Sequence, residues 1–209
     1  MLFRSWVRAD NVTGSPVSQM NAMPTTTVNM AQSVGANRPT LNASDADFNG
    51  CPSLSFDTTD YFDSDATISA GDFTIIWVGK YSAANFVYER ALGVGYAYAG
   101  TNQSLQVVGG GGASSKNLSP NWLNGSTTTF RHRFAGTHAS NRLWKNGTEQ
   151  VLSDGTGGTG DPSSATLGGV TFSWNAYSGG SCSAHKLAEL MFFNRALTDA
   201  EAEIGRAHV

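Results

Sequence analysis

The chain has 209 residues, of which 24 are glycine and 14% are charged, and its formal net charge is -3. This length suits one domain, and the lack of a basic stripe argues against a nucleic-acid partner. No apolar run approaches the roughly 20 residues that a transmembrane helix requires, so we predict no membrane insertion. Abundant Ser, Thr, Asn and Gly without long amphipathic helices favour an extracellular, cell-surface or virion protein over a cytosolic enzyme.

The two termini resemble translated adapter DNA more than the edges of a folded domain. Back-translation of residues 2–5 and 203–209 can reproduce, in frame, the ends of a widely used short-read sequencing adapter. We therefore predict that residues 1–5 and 204–209 are adapter scars and assign them no functional role. Residues 6–203 are then a metagenomic insert that forms a single domain.

The first half of the insert combines an irregular segment with two strands. Residues 6–45 are polar and aperiodic, which predicts an irregular N-terminal arm. Leu54 and Phe56 alternate with serines, a pattern typical of a half-buried strand. The stretch FTIIWVGK at 73–80 is almost continuously apolar, so we expect a strand that is covered on both faces. SLQVV at 104–108 predicts a further strand.

The second half contains clearer local signals. The stretch TTFRHRFAGTH at 128–138 alternates aromatic residues and histidine with arginines, which predicts a strand. The Asn-Gly pair at 146–147 lies between two apolar stretches and predicts a β-hairpin. HKLAELMFFN at 185–194 predicts the last strand. LTDAEAE at 197–203 carries a capping box that predicts a short helix beginning at residue 197 or 198.

About ten short strands with regular turn signals, followed by one helical turn, predict an all-β fold. The expected architecture is an antiparallel jelly-roll β-sandwich of two packed sheets with one short C-terminal helical turn. The order of DADFNGCPSLSFDTTDYF, FTIIWVGKY, FRHRFAGTHASNRLWKNGTEQ and KLAELMFFNRALTDAEAE resembles the concanavalin A-like, laminin-G-like jelly-roll family. WVRAD at 6–10 resembles the lead-in of bacterial and phage members. The resemblance implies a domain that binds glycans or proteins.

The resemblance also bears on the two cysteines. It implies that the first and last core strands are antiparallel neighbours, with Cys51 before the first and Cys182 before the last. The two thiols would then lie at opposite ends of the pair, about 15–20 Å apart. A disulfide requires Cα atoms within about 7 Å, so we predict two free cysteines.

The sequence offers no complete catalytic set, and we predict that the protein is not an enzyme. The run of alternating acids that sandwich glucanases carry on one strand is missing, and Glu189 is a lone acid on the last strand. We interpret Glu189 as a structural carboxylate held by an arginine such as Arg131, Arg133 or Arg195. The GTGGTG stretch at 155–160 lacks a following helix, so we expect a flexible loop rather than a dinucleotide site.

A short acidic stretch is a candidate calcium site. Asp45, Asp47 and Asn49 alternate as in the first half of a calcium loop, and Gly50 permits the sharp turn. Phe56 occupies the position at which such a loop carries its bidentate acid. The alternative is an Asx-rich turn that leads into a strand. Ca²⁺ is therefore a possible cofactor, and both interpretations stay open.

Aromatic residues beside asparagines are candidates for sugar binding, because rings stack on the apolar faces of sugars while amides bind hydroxyl groups. The candidate residues are Trp122, Asn124, Trp174, Asn175 and Tyr177. The main hypothesis is a non-catalytic lectin-like or adhesive module of a secreted, surface or phage tail protein, with a glycan or a cell-surface protein as partner. One alternative is a structural or decoration domain of a virion or tail fibre with protein partners only. The other is a divergent glycoside hydrolase.

Overall fold

The computed structural model describes residues 3–22, 29–64, 72–81, 103–109, 112–118, 125–161, 173–174, 176–177, 180–181 and 184–206. The first strands are β1 (Phe3–Thr13), β2 (Gln19–Ala22), β3 (Met30–Ala31), β4 (Thr40–Asn42), β5 (Ser53–Phe56), β6 (Phe62–Ser64) and β7 (Phe73–Tyr81). They are followed by β8 (Gln103–Gly109), β9 (Gly112–Leu118), β10 (Thr127–Phe134), β11 (Arg142–Lys145), β12 (Thr148–Glu149) and β13 (Ser153–Thr159). The last are β14 (Ser173–Trp174), β15 (Ala176–Tyr177), β16 (Gly180–Ser181) and β17 (His185–Phe193).

Helical structure is sparse in these ranges. Three short 3₁₀ helices span Gly35–Asn37, Ala46–Phe48 and His138–Ser140, and one α-helix, α1, spans Asp199–Arg206. In the part of the chain that is described, no helix combines the length and the apolar character needed to cross a membrane.

Strand β17 is the centre of a twelve-stranded antiparallel sheet. β7 pairs with one edge of β17 along its whole length, whereas β5 and β1 share the other edge, β5 at residues 185–187 and β1 at residues 189–193. The sheet continues from β7 through β10 and β11 to β12, and from β1 through β2, β3 and β6 to β14. Two smaller sheets consist of β13, β9 and β8 and of β15 and β16.

Side chains from both ends of the large sheet meet in one buried core. Leu143 of β11 and Phe62 of β6 belong to the same cluster as Trp77 of β7. Because strands that lie far apart in the sheet order share this cluster, the sheet curls over into two packed layers. The structure thereby confirms the predicted antiparallel jelly-roll β-sandwich.

The strand predicted at 73–80 is covered on both faces, as expected. Its second set of side chains, including Ile76 and Val78, packs into two further clusters on the side opposite the core. The predicted hairpin also forms between β11 and β12. Asn146 and Gly147 there have φ angles of 46° and 80°, the left-handed pair that a two-residue hairpin requires.

The predicted capping box begins α1. The backbone N–H of Glu201 donates to Thr198 Oγ1 over 3.3 Å, and the backbone N–H of Thr198 donates to Glu201 Oε2 over 2.9 Å. The helix continues to Arg206, and β1 starts at Phe3, which pairs with Phe193. Backbone from both terminal segments therefore takes part in regular structure, while their adapter origin stays a prediction.

Two segments that we predicted to be irregular contain strands. Residues 6–45 hold most of β1 and all of β2, β3 and β4, and residues 155–160 fall largely within β13. Strands of two to four residues are too short to show a period in sequence, and their pairing is supplied by partners elsewhere in the chain. Glycine is favoured at 155 because an added Cβ would clash with Ser115 Oγ.

Cys51 is an exposed free thiol, in agreement with the prediction for this residue. Cys182 lies outside the described residues.

Candidate functional site

The face of β7 and β17 opposite the core, which we call the outer face, is covered at its two ends by other described residues. At one end Ala202 of α1 and the preceding Leu197 pack against Ile76, Met191 and Phe193. At the other end Phe48 of the short 3₁₀ helix packs against Val78 and Ala188. A depression remains between these two covers.

A β-bulge shapes this depression. Leu187 pairs with Gly79 and Glu189 pairs with Val78, so the ladder shifts at Ala188. Leu187 points into the main core, whereas Ala188 packs with Val78 on the outer face. Because the bulge breaks the alternation, Glu189 also reaches the outer face.

The depression is a pocket of about 380 Å³, which lies within the size range of small-ligand sites. Its apolar part comes from Phe48, Val78 and Ala188, which form a cluster of their own. Arg8, Asp10, Asp47, Thr127, Glu189 and the exposed Cys51 also line it. We call it the outer-face pocket.

Arg8 organises one wall of the outer-face pocket. Its Nη2 lies 2.9 Å from Asp10 Oδ2, and its Nε lies 3.3 Å from Glu189 Oε1. The Glu189 side chain is 9% exposed and that of Asp10 is 40% exposed. A carboxylate as buried as that of Glu189 requires such a cation. Glu189 is thus held by an arginine, and Arg8 is a partner that the sequence did not reveal.

Two of the predicted calcium residues, Asp47 and Asn49, also line the pocket, whereas Asp45 does not. Asp45 is buried, and its carboxylate accepts hydrogen bonds from Ser53 Oγ and from the backbone N–H of Asp47. Asn49 and Gly50 close the loop with φ angles of 55° and 83°. The loop is therefore an Asx-type turn that leads into β5, as one of the two interpretations expected.

Two lysines face the carboxylates of this loop. Lys186 Nζ lies 2.9 Å from Asp45 Oδ2 and 2.8 Å from Asp47 Oδ2, and Lys80 Nζ lies 2.6 Å from Asp47 Oδ1. Lys80 and Lys186 are directly opposite in the β7–β17 register, a placement that is unfavourable for like charges. The two aspartates neutralise this pair and so fasten the loop to the sheet.

The contacts shift the ionisation of the groups involved. Burial acts to raise the pKa of Asp45, but hydrogen bonds from Ser53, Lys186 and the Asp47 backbone outweigh it and hold the pKa below its usual value. Hydrogen bonds from Lys186 and Lys80 lower the pKa of Asp47. Hydrogen bonds to Asp47 and Asp45 raise the pKa of Lys186. Asp45, Asp47 and Lys186 are therefore charged at neutral pH.

These contacts bear on the calcium prediction for Asp45, Asp47 and Asn49. The lysine ammonium groups lie where a cation would bind the two carboxylates, so Ca²⁺ would have to displace them. Within the described ranges, no group of three or more His, Cys, Asp or Glu side chains could hold a metal ion. The calcium site stays a prediction.

The other predicted ligand residues do not join this pocket in the part of the chain that is described. Trp122, Asn124 and Asn175 lie outside the described residues. Trp174 belongs to β14, opposite Phe62, and Tyr177 belongs to β15 in the small two-stranded sheet. Their role in sugar binding stays a prediction.

A serine, a histidine and an aspartate form a chain of hydrogen bonds elsewhere in the fold. Ser114 Oγ lies 2.9 Å from His138 Nδ1, and His138 Nε2 lies 2.9 Å from Asp154 Oδ1. Ser114 is fully buried and accepts a hydrogen bond from Asn141 Nδ2 over 3.0 Å. Because no substrate can reach the hydroxyl in this arrangement, we interpret the chain as a link between β9, β13 and the segment that follows β10.

Replacing Lys186 with methionine is expected to lower the free energy of unfolding by about 1–2 kcal/mol. The change leaves Asp45 buried without its cation, while the partial exposure of Lys186 moderates the cost. Urea unfolding at neutral pH measures the difference. Lys80→Met is the matched control, since the ion pair of Lys80 is with the more exposed Asp47 and not with Asp45. A larger effect for the control would contradict the assignment.

Comparisons with known proteins extend the description of the fold. No protein-family model matches the chain, and no curated protein matches its sequence. The binding domain of Paraclostridial mosquitocidal protein 1 gives a TM-score of 0.61 at 10% identity, over 97% of this chain and 51% of that chain. The receptor-binding domain of botulinum neurotoxin D gives a TM-score of 0.61 at 9% identity, over 98% and 52% of the two chains.

A third similar structure is an enzyme. A Trypanosoma rangeli sialidase in complex with the inhibitor DANA gives a TM-score of 0.52 at 11% identity, over 95% of this chain and 32% of that chain. The chain thus spans about half the length of the two toxin domains and about a third of the sialidase. At such identities the likeness shows a shared β-sandwich fold.

Proposed function

We propose that this chain is a non-catalytic, lectin-like recognition module of the concanavalin A-like, laminin-G-like type, and that it binds a glycan in the outer-face pocket. The observation that carries the proposal is the composition of this pocket. A small apolar floor of Phe48, Val78 and Ala188 lies between two walls of fixed charged groups. The parent protein would be secreted, surface-exposed or part of a phage tail.

Such a lining suits a sugar for a physical reason. A sugar ring presents C–H groups on its faces and hydroxyl groups around its edge, so it requires apolar contact and oriented polar groups together. Asp10 and Thr127 line the outer-face pocket, and carboxylate and hydroxyl oxygens accept hydrogen bonds from sugar hydroxyls. The ion pairs of Arg8 with Asp10 and Glu189 hold one wall in place before a ligand arrives.

The similar structures support a binding role. Two of them are a binding domain and a receptor-binding domain of toxins, and each aligns with almost the whole of this chain. The sialidase shows that a similar sandwich can also occur within an enzyme.

The ionisation of Asp47 favours binding over hydrolysis in the outer-face pocket. A glycosidase requires a general acid whose pKa is raised so that it carries a proton near neutral pH. The pKa of Asp47 is instead lowered by hydrogen bonds from Lys186 and Lys80. Asp47 is therefore not suited to donate a proton to a leaving group, and Glu189 is held in an ion pair with Arg8.

Replacing Asp10 with asparagine is expected to weaken glycan binding by about tenfold or more, because the loss of one charge-assisted hydrogen bond has that effect. A glycan array, run with calcium and with chelator, identifies a bound glycan, and calorimetry then compares the variants. Glu149→Gln is the matched control, since Glu149 is similarly exposed and pairs with Arg142 as Asp10 pairs with Arg8.

The outcomes separate the candidate sites. Equal binding by wild type and Asp10→Asn would remove the outer-face pocket from the proposal and favour the predicted ligand residues Trp122 and Trp174. Binding that is lost with chelator would favour the calcium prediction at Asp45, Asp47 and Asn49. No binding to any glycan would favour the structural or decoration role with protein partners.

A further inference from the structure

We propose that Asn146 is a site of spontaneous chemical modification, at which its side chain closes onto the backbone nitrogen of Gly147 and is converted to aspartate or isoaspartate. Water is the only co-reactant that the conversion requires. The site is the tip of the β11–β12 hairpin and lies outside the outer-face pocket, so the modification is independent of the proposed function.

The conversion is an intramolecular displacement followed by hydrolysis. The Gly147 nitrogen loses its proton to a base and attacks Cγ of Asn146. The bond from Cγ to Nδ2 breaks, and Nδ2 takes a proton from water and leaves as ammonia. Water then opens the cyclic succinimide at one of its carbonyl groups, which gives either aspartate or isoaspartate, in which the main chain runs through the side-chain carbon. Glycine favours the attack because it has no side chain to hinder it.

The Gly147 nitrogen is available for this attack. The turn is closed by the pairing of Lys145 with Thr148, which leaves the Gly147 N–H outside the ladder. Among the described residues this N–H donates no hydrogen bond. Asn146 is exposed to solvent, so base and water reach the site. Deprotonation and attack at the Gly147 nitrogen therefore break no existing hydrogen bond.

The side-chain carbonyl of Asn146 is held and polarised by the neighbouring strand. The backbone N–H of Thr129 in β10 donates to Asn146 Oδ1 over 2.9 Å. Attack on Cγ places negative charge on this oxygen, and a fixed N–H donor stabilises charge that develops in this way. The departing Nδ2 donates no hydrogen bond to any described residue. Both partners in the reaction are thus set up for it at the hairpin tip.

A second Asn-Gly pair in the chain has the same backbone conformation but different contacts. Asn49 and Gly50 have φ angles of 55° and 83°, and Asn49 is also exposed. The N–H of Gly50, however, donates to the carbonyl oxygen of Asp45 over 2.9 Å. No described residue donates to the side-chain carbonyl of Asn49. The nucleophile is therefore occupied and the carbonyl is not polarised, so we expect this pair to react more slowly.

The third Asn-Gly pair, at 124–125, shares the occupied nucleophile. The N–H of Gly125 donates to the carbonyl oxygen of Tyr81 over 3.0 Å, while Asn124 lies outside the described residues. A hydrogen bond of ordinary strength that must be broken slows a reaction by up to about tenfold. Asn146 is therefore expected to be the fastest of the three pairs in the folded protein.

Peptide mapping by mass spectrometry tests this order. The intact chain is incubated at mildly alkaline pH, and the conversion of each Asn-Gly pair is followed over time. Asn146 is expected to convert about tenfold faster than Asn49, and also faster than Asn124. The same incubation in urea is the control, because unfolding removes the hydrogen bonds at all three pairs and is expected to abolish the difference.

Three outcomes of this experiment would overturn the proposal. One is conversion of Asn49 at the rate of Asn146, or faster, in the folded protein. Another is an unchanged difference in urea, since the neighbouring sequence and not the fold would then set the rates. The last is an unreacted Asn146 in the folded protein after a time in which the chain in urea has converted.

Conversion to isoaspartate is expected to open the hairpin. It adds a backbone carbon to a turn that fits φ angles of 46° and 80°, and so shifts Thr148 relative to Lys145. The aged protein is expected to unfold at a lower urea concentration than the fresh protein. Asn146→Asp, aged alongside, is the matched control, because it carries the same added charge without lengthening the main chain. An equal shift in this variant would show that the hairpin stays closed.

Discussion

Replacement of Arg131 by alanine is expected to lower the free energy of unfolding by about 3 kcal/mol, the largest effect expected of a single charged residue here. Arg131 lies on the outer face of β10 and is 8% exposed. Its guanidinium carbon lies 3.6 Å from the ring centroid of Trp144, and its Nη2 donates to Asp199 Oδ1 over 2.8 Å. The side chain therefore joins β10, β11 and α1.

The stack of Arg131 on Trp144 and the buried packing of its side chain account for most of the expected loss of stability. The Trp144 ring is buried, so the cation–π contact is desolvated and strong. Asp199 is 70% exposed, and an ion pair with so exposed a partner adds little. Loss of Arg131 would expose one face of the Trp144 ring and loosen α1, which covers Ile76 and Met191.

Arg133→Ala is the matched control on the same strand. The Arg133 guanidinium lies 4.8 Å from the Trp144 ring and 3.6 Å from Asp199, and Arg133 is more exposed than Arg131. Its removal is expected to cost about 1 kcal/mol. Urea unfolding measures both variants, and limited proteolysis reports on α1. An Arg133→Ala effect as large as that of Arg131→Ala would show that the stack on Trp144 is not the main contribution.

The elements predicted well from sequence are those whose signals are local. The apolar run that became β7, the Asn-Gly pair between β11 and β12 and the capping box of Thr198 and Glu201 each act over a few neighbouring residues. Strands β2, β3 and β4 carry no such signal. They have two to four residues each, and their neighbours in the sheet stabilise them more than their own composition does.

The outer-face pocket was not predictable in the same way, because its parts are brought together by tertiary structure. Arg8 and Glu189 are far apart in sequence but opposite each other in the β1–β17 register. Glu189 reaches the outer face only because of the bulge at Ala188. The sequence patterns of WVRAD and DADFNG indicate a lead-in and a calcium-like loop, respectively. Nothing in either stretch indicates that Asp10 and Asp47 line one pocket.

The buried histidine of β10 makes the stability of the fold sensitive to mild acid. His132 is fully buried, packs edge-on against Phe73 and has its Nε2 2.8 Å from Asn141 Oδ1. Asn141 Nδ2 donates to Ser114 Oγ, so Asn141 Oδ1 is the acceptor and His132 Nε2 carries the proton. Burial lowers the pKa of His132 to about 4, and the hydrogen bond to Asn141 offsets this only in part.

The direction of the effect follows from comparing the folded and unfolded states. In the unfolded chain His132 has an ordinary pKa near 6.5, about two and a half units above its folded value. Between these two values the unfolded state binds more protons, so acid favours unfolding. Stability is therefore highest above the unfolded pKa and falls as the pH drops towards the folded pKa. The expected loss that His132 causes is about 2 kcal/mol between pH 7 and pH 5.

The variant His132→Gln separates the contribution of His132 from the contributions of other titrating groups. His132→Gln keeps a donor for Asn141 but does not titrate. Between pH 7 and pH 5 the variant is therefore expected to lose about 2 kcal/mol less stability than the wild type. Asp154 and Glu201 have pKa values of about 2, and their contribution is lost at lower pH, outside this window. Urea unfolding of both proteins at the two pH values gives the difference directly. Parallel pH profiles would mean that His132 is solvated in the folded state, which would contradict its place between Phe73 and Asn141 in the core.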